Sequence, residues 1–234
     1  MEMPKVITRA EAIFGLAYFC AYLGYLFIRL ESETLHWLSL VILPFIWVFF
    51  FQRKTNPEQP LRASFASIGL AKGNLTNGLL WSAALGLGLG LLQLLLSRHS
   101  QKIWELIVSG KAFILFPITL LLMFLTAGFT EEFFFRGVLQ TRLAAWLGSK
   151  FWAVIIASIL FGVYHLPYAY LNPNWPSHGH WPQAFSAALG QAVPIGLILG
   201  TLYVRTKNNV LACALVHALI NTPWAMTMIH FNKP

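Results

Sequence analysis

Two adjacent carboxylates, Glu131 and Glu132, close a long apolar run from Phe113 to Phe129. The chain has only eight acidic residues, all Glu, and two of them fall together here. An ionisable side chain inside a membrane segment costs about 2.5–3.5 kcal/mol on insertion scales and points to function. Helical spacing gives the pair different work. Glu132 and Arg136 are four residues apart, share a face and can form an ion pair. Glu131 is turned roughly 100° from Glu132 at 3.6 residues per turn, so it is left without that partner. An unpaired carboxylate in apolar surroundings can serve as a general base toward water near neutral pH.

Three further polar groups fall at a matching depth. If the helix carrying Glu131 ends near Trp146, Glu131 lies 15 residues in, about 22 Å at 1.5 Å per residue. His165 lies 15 residues beyond Lys150, again about 22 Å, and His217 and Asn221 lie 10 and 14 residues beyond Lys207, about 15 and 21 Å. His217 and Asn221 are four apart and face the same way, and Phe161 shares the face of His165. Singly, each has a bland reading: a lone His in an apolar helix commonly binds a neighbouring carbonyl, an Asn commonly glues helices, and an Arg136–Glu132 pair is structural. Together they make a hydrolytic set. Glu131 would take a proton from a water held between it and a His, and the hydroxide would attack a carbonyl. The His–Asn pair would supply N–H donors to the oxyanion. No Ser or Cys nucleophile is needed. His36, His99, His178, His180 and His230 fall near helix ends or loops and receive no role.

The scaffold that must hold these groups is a membrane bundle. The 234 residues are 57% hydrophobic and 10% charged, with a mean hydropathy of +0.64, against about 25% charged in soluble domains. This predicts an all-α polytopic membrane helical bundle, one integral membrane domain over residues 1–234. The formal charge of +8 is carried mainly between apolar segments, where Lys and Arg set topology and meet anionic head groups of the lipid bilayer. With no basic stripe on a soluble module, nucleic acid is not a partner. Cys20 and Cys213 lie inside apolar segments and read as buried residues, without a disulfide or metal-ligand spacing.

About seven spans are predicted, with short interfacial helices between some of them. A polar lead covers residues 1–11, and the spans cover 12–30, 35–51 (kinked at Pro44), 78–97, 111–146, 151–166, 183–204 and 210–229. The first is too long, and its end too bulky and charged, for a cleaved signal peptide. Residues 61–70 read as an interfacial helix, 101–110 as a short amphipathic stretch, and the fourth span as longer than a bilayer requires. Pro167 is expected to end the fifth span and Pro194 to interrupt the sixth. Gly86 with Gly90, and Gly196 with Gly200, give small-xxx-small spacings for close packing. The loop 168–182 carries no formal charge and is rich in Trp, Pro, Asn and His; its Trp residues border a substrate entrance or simply anchor the loop in the interface. Lys5, Arg9, Arg53, Lys54, Arg62, Lys72, Arg136, Arg142, Lys150, Arg205 and Lys207 fall on one side, and Arg29, Arg98, Lys102, Lys111 and Lys233 on the other. The majority orients the N-terminus inside.

Three motifs in order, Glu131-Glu132-x-x-x-Arg136, Phe161-x-x-x-His165 and His217-x-x-x-Asn221, resemble the family of CAAX proteases and bacteriocin-processing enzymes (CPBP). These are intramembrane glutamic endopeptidases related to the type II CAAX prenyl endopeptidases. The resemblance covers roughly residues 127–224 as the catalytic core. It implies Glu131 as the water-activating base and His165 as a water-positioning group. It implies His217 and Asn221 as the oxyanion hole, and Glu132 with Arg136 as a supporting pair in which Glu132 can also orient a catalytic group. It implies a membrane-associated or lipidated peptide or protein as substrate and no metal. The short chain looks like a bacterial member, of the cytoplasmic membrane. Two other readings stand beside it. One is a metal-dependent membrane hydrolase with Glu131, His165 and His217 as ligands. The other is a catalytically silent peptide-binding, immunity or small transport protein.

Overall fold

The computed structural model describes residues 7–30, 32–58, 60–71, 76, 78–97 and 99–229. Lys5, Glu31, Lys72, Arg98, His230 and Lys233 lie outside them. Among the described residues every regular element is a helix, in the order α1 (Arg9–Ile28), α2 (Glu33–Thr55), α3 (Leu61–Ser67), α4 (Leu79–Leu96), α5 (Ser100–Val108), α6 (Ala112–Leu147), α7 (Lys150–Leu171), α8 (Trp181–Arg205) and α9 (Val210–Met226). Six of these are long and apolar enough to cross a membrane. The seventh apolar helix, α9, has 17 residues, or about 26 Å at 1.5 Å per residue, against a hydrocarbon thickness of about 30 Å. It is buried along most of its length and packs on α4, α6 and α8. Outward faces carry exposed Leu80, Trp81, Leu95, Phe113 and Phe151. Apolar surface of that extent is a liability in water and is solvated by lipid. The protein is an integral multi-pass membrane protein with an all-α fold.

The chain enters its first helix earlier than the sequence predicts. Thr8 and Glu11 form a reciprocal capping box, and Glu11 is fully buried rather than part of a polar lead. Its carboxylate lies 3.4 Å from Nε of Arg142, itself buried. Arg142 also donates to the Ser67 carbonyl at 2.9 Å and to the Ser67 hydroxyl at 3.2 Å, while Gln52 donates to that hydroxyl at 2.6 Å. This network joins α1, α2, α3 and α6 at one end of the bundle. The end of α3 is docked on the bundle through buried Ser64 and Ser67. The network also corrects one expectation. Arg136 and Arg142 are buried within α6 and do not count among the head-group charges that orient the chain.

α6 is the spine of the molecule. Its 36 residues include two π-helical stretches, Phe124–Gly128 and Phe133–Gln140, on either side of Phe129–Glu132. A π turn releases backbone carbonyls from the regular ladder and re-aims side chains. Side chains one turn on take up the released groups: the Thr141 hydroxyl donates to the Arg136 carbonyl at 3.0 Å and Arg142 to the Gly137 carbonyl at 3.2 Å. Before Glu131, α6 comes close to α9 at Gly128, where a Cβ would stand 2.7 Å from the Ala214 carbonyl oxygen.

Pro167 does not end α7, which continues to Leu171. The loop supplies the reason. The Ser177 hydroxyl donates to the Ala169 carbonyl at 2.7 Å and the Gly179 N–H to the Tyr170 carbonyl at 2.9 Å, satisfying terminal carbonyls of the helix. Trp181 opens α8 and stacks on Tyr170, with ring centroids 4.0 Å apart. Likewise Pro194 does not break α8, because it sits in the first turn after a π-helical stretch, Ala188–Ala192. Between the two ends of the bundle lies an aromatic core that includes Phe19, Tyr22, Phe135, Phe161, Tyr164 and Tyr203.

Candidate active site

Glu132 is the fixed point of the site. One of its oxygens accepts from Arg136 at 2.8 Å and from Nδ1 of His217, also at 2.8 Å. The i,i+4 pair foreseen from spacing is present, and it reaches one helix further than spacing reveals. Arg136 is held in turn: it donates to the Gly196 carbonyl at 3.2 Å and its guanidinium lies over the Phe161 ring at 4.5 Å. Both charges are buried, so the pair stabilises only as a unit.

Glu131 has a different environment. It is buried, and its Oε2 has no hydrogen-bond partner among the described residues. Nε2 of His165 and Nε2 of His217 both stand 3.9 Å from that oxygen. The other nitrogens fix the rings. His165 Nδ1 donates to the Phe161 carbonyl, four residues back, at 2.8 Å, so in the neutral ring Nε2 is a hydrogen-bond acceptor. Two acceptors bridged by one water of tetrahedral angle lie about 4.5 Å apart when each bond is about 2.8 Å. The Glu131–His165 separation of 3.9 Å is about 0.6 Å shorter than that span, which a bridging water meets with a narrower angle of about 90°. A water there would direct both hydrogens at protein acceptors and keep an oxygen lone pair for a substrate carbonyl.

A cavity of about 290 Å³ opens beside these groups. Of the residues selected from the sequence, Glu131, His165 and Asn221 line it; His217 adjoins them with its Nε2 3.9 Å from Glu131, and the Glu132–Arg136 pair supports His217. Asn221 is one turn from His217 on α9 and half-buried. Trp175, from the connection between α7 and α8, also lines the cavity, as do Ser32 and Glu33 at the start of α2. The cavity therefore lies toward the end of the bundle that carries the α1–α2 turn and the Trp-rich loop. Among the described residues no group of three His, Cys, Asp or Glu side chains is arranged to hold a metal ion.

Sequence reasoning missed His36. It lies in the first turns of α2 and lines the cavity. Its Nε2 is 2.8 Å from the Thr130 hydroxyl and its Nδ1 3.4 Å from that of Tyr164. A position near a helix end reads as interfacial. The signal that finds it is depth: carried to the start of α2, the count that aligns Glu131 with His165 brings His36 near their level.

Residues 113–223, from the start of α6 to nearly the end of α9, match the family described as Rce1-like, type II CAAX prenyl endopeptidase Rce1-like. No curated protein and no solved structure matches the chain. The family match supports assignment to the CAAX protease and bacteriocin-processing family, and with it a peptidase role in the membrane.

Proposed function

We propose that this protein is an intramembrane glutamic endopeptidase that hydrolyses a peptide bond of a membrane-associated or lipidated peptide or protein. The observation that carries the reading is Glu131: a buried carboxylate oxygen without a hydrogen-bond partner among the described residues, flanked by two histidine nitrogens at 3.9 Å and on the wall of a cavity. Glu132 and Glu11 also have one oxygen without a donor among the described residues, but of the three carboxylates only Glu131 lines the cavity.

In the proposed reaction a water bridges Glu131 and His165. Glu131 takes one proton as the oxygen attacks the scissile carbonyl, and the carbonyl oxygen becomes the oxyanion. Asn221 donates to it through its side-chain amide, and His217 does so through Nε2 when the ring is an imidazolium, a state that the Glu132 carboxylate supports. The protonated Glu131 then returns its proton to the leaving amine, so the carboxylate is regenerated and one water is consumed. Glu132 and Arg136 orient His217 without touching substrate. Residues 127–224 form the catalytic core of a single domain. On this reading the chain sits in a bacterial cytoplasmic membrane with its N-terminus inside, as the Lys and Arg distribution favours.

The test compares wild type with Glu131→Ala in the native host, at equal protein level, by mass spectrometry of membrane-associated and secreted peptide termini. Loss of a terminus in the variant establishes proteolysis and identifies the substrate. Unchanged termini, with the associated phenotype retained, would replace this reading with peptide binding or immunity. Activity lost on chelation and restored by Zn²⁺ would replace it with metal-dependent hydrolysis.

A further inference from the structure

We infer that His36 is a positioning residue that clamps α6 to α7 at the level of the site, outside the family-matched segment and from a helix that carries none of the proposed catalytic groups. Its two ring nitrogens meet the residues immediately before Glu131 and His165. Nε2 lies 2.8 Å from the Thr130 hydroxyl and Nδ1 lies 3.4 Å from the Tyr164 hydroxyl, a longer and weaker contact. The proton positions follow from Thr130. Its hydroxyl donates back to the Thr126 carbonyl, so its oxygen accepts from His36 Nε2–H. In the neutral ring Nδ1 is then an acceptor for the Tyr164 hydroxyl. The next residue strengthens the docking: Trp37 stacks on Phe129 with ring centroids 5.7 Å apart and planes 29° from parallel.

The carrier turn on α6 needs such an outside support. Phe129–Glu132 is a single helical turn between two π-helical stretches, where the backbone ladder is re-registered on both sides. Thr130 and Tyr164 are both buried, and His36 reaches both from the cavity side. Holding the two preceding residues holds the Glu131–His165 separation of 3.9 Å, on which a bridging water depends. The inference rests on the catalytic reading of Glu131 and His165.

The test uses the full chain in detergent, with His36→Leu and His36→Gln beside wild type. Gln can present an N–H₂ to Thr130 and a carbonyl to Tyr164, whereas Leu can present neither. Two readouts are taken: backbone hydrogen exchange of segments 126–134 and 161–168, and kcat and KM on a synthetic peptide spanning the terminus lost in Glu131→Ala. His36→Leu is expected to speed exchange in both segments and to lower kcat by about 10-fold to 10²-fold, the scale of a misplaced reacting group, with KM little changed. His36→Gln is expected to restore both. Unchanged exchange in His36→Leu would overturn the clamp, and faster exchange with unchanged kcat would overturn its positioning role. If Glu131→Ala loses no terminus, the catalytic reading fails, and the exchange data still decide the clamp.

Discussion

His217 turns Nδ1 to Glu132 at 2.8 Å, and the same ring then presents Nε2 to Glu131 at 3.9 Å. One carboxylate thus sets the orientation of the group that faces the other. In a neutral ring with its proton on Nδ1, Nε2 has no hydrogen to donate, so the proposed oxyanion role requires the imidazolium. Glu132, which also pairs with Arg136, and Glu131 at 3.9 Å are the two carboxylates that balance the charges of Arg136 and that imidazolium.

Glu132→Gln tests that requirement. The amide keeps the size of the side chain and an acceptor for His217 but removes the charge. Turnover per folded molecule is expected to fall by about 10² to 10³, the scale of losing an oxyanion donor. Stability also falls, by about 3–5 kcal/mol, because Arg136 loses its buried partner. Full turnover per folded molecule, measured with a cleavable peptide after size exclusion, would eliminate the imidazolium.

Glu131→Gln is expected to behave in the opposite way. Its Oε2 accepts no hydrogen bond among the described residues, so the neutral amide removes a buried charge without breaking a bond to that oxygen. Turnover should drop by about 10² to 10⁴, the usual worth of a general base, while stability holds or rises by roughly 0.5–2 kcal/mol. Thermal unfolding in detergent reads the second effect. A clear fall in Tm would mean that Glu131 is structural.

The two glutamates show where a sequence is legible and where it stops. The Glu132–Arg136 pair is four residues apart on one helix, so spacing alone finds it. Depth counting places Glu131, His165, His217 and Asn221 at one level because membrane helices cross a slab of known thickness. The cavity lining and the 3.9 Å separations agree with that count. The ligand of Arg142 could not be read the same way. Glu11 lies on a distant helix, and a Glu beside an N-terminal lead carries the same local signal as any capping residue. The contact between His36 and Thr130, 94 residues apart, depends on how α2 docks. Pro167 signals a helix end locally, and the loop contact that satisfies the helix beyond it, Ser177 to the Ala169 carbonyl, is not legible in the sequence.

Arg142 gives a prediction about stability alone. It ties α6 to Glu11 and Ser67 at the end of the bundle away from the cavity. Arg142→Leu leaves Glu11 as a buried charge without its counter-ion and is expected to cost about 3–5 kcal/mol. The fraction that folds should turn over substrate normally. Chemical denaturation in detergent and kcat per folded molecule separate the two. A selective loss of kcat would instead couple this network to the site.

Two glycines make a matched pair for testing how tightly the site is held. A Cβ at Gly128 would lie 2.7 Å from the Ala214 carbonyl oxygen and 3.1 Å from that of Met123, both backbone atoms, whereas one at Gly88 would meet nothing within 4 Å. Gly88→Ala should therefore gain about 0.5–1 kcal/mol from the lower backbone entropy of Ala in a helix. Gly128→Ala should lose about 1–3 kcal/mol as overpacking forces α6 off α9. That displacement falls between Gly128 and Ala214, close to the Glu132–His217 hydrogen bond of 2.8 Å. Turnover should thus fall in Gly128→Ala even at temperatures where the protein stays folded, and Gly88→Ala should leave it unchanged. Paired melting curves and peptide cleavage rates make the comparison. Equal behaviour of the two variants would mean that α6 can shift against α9 without disturbing the site.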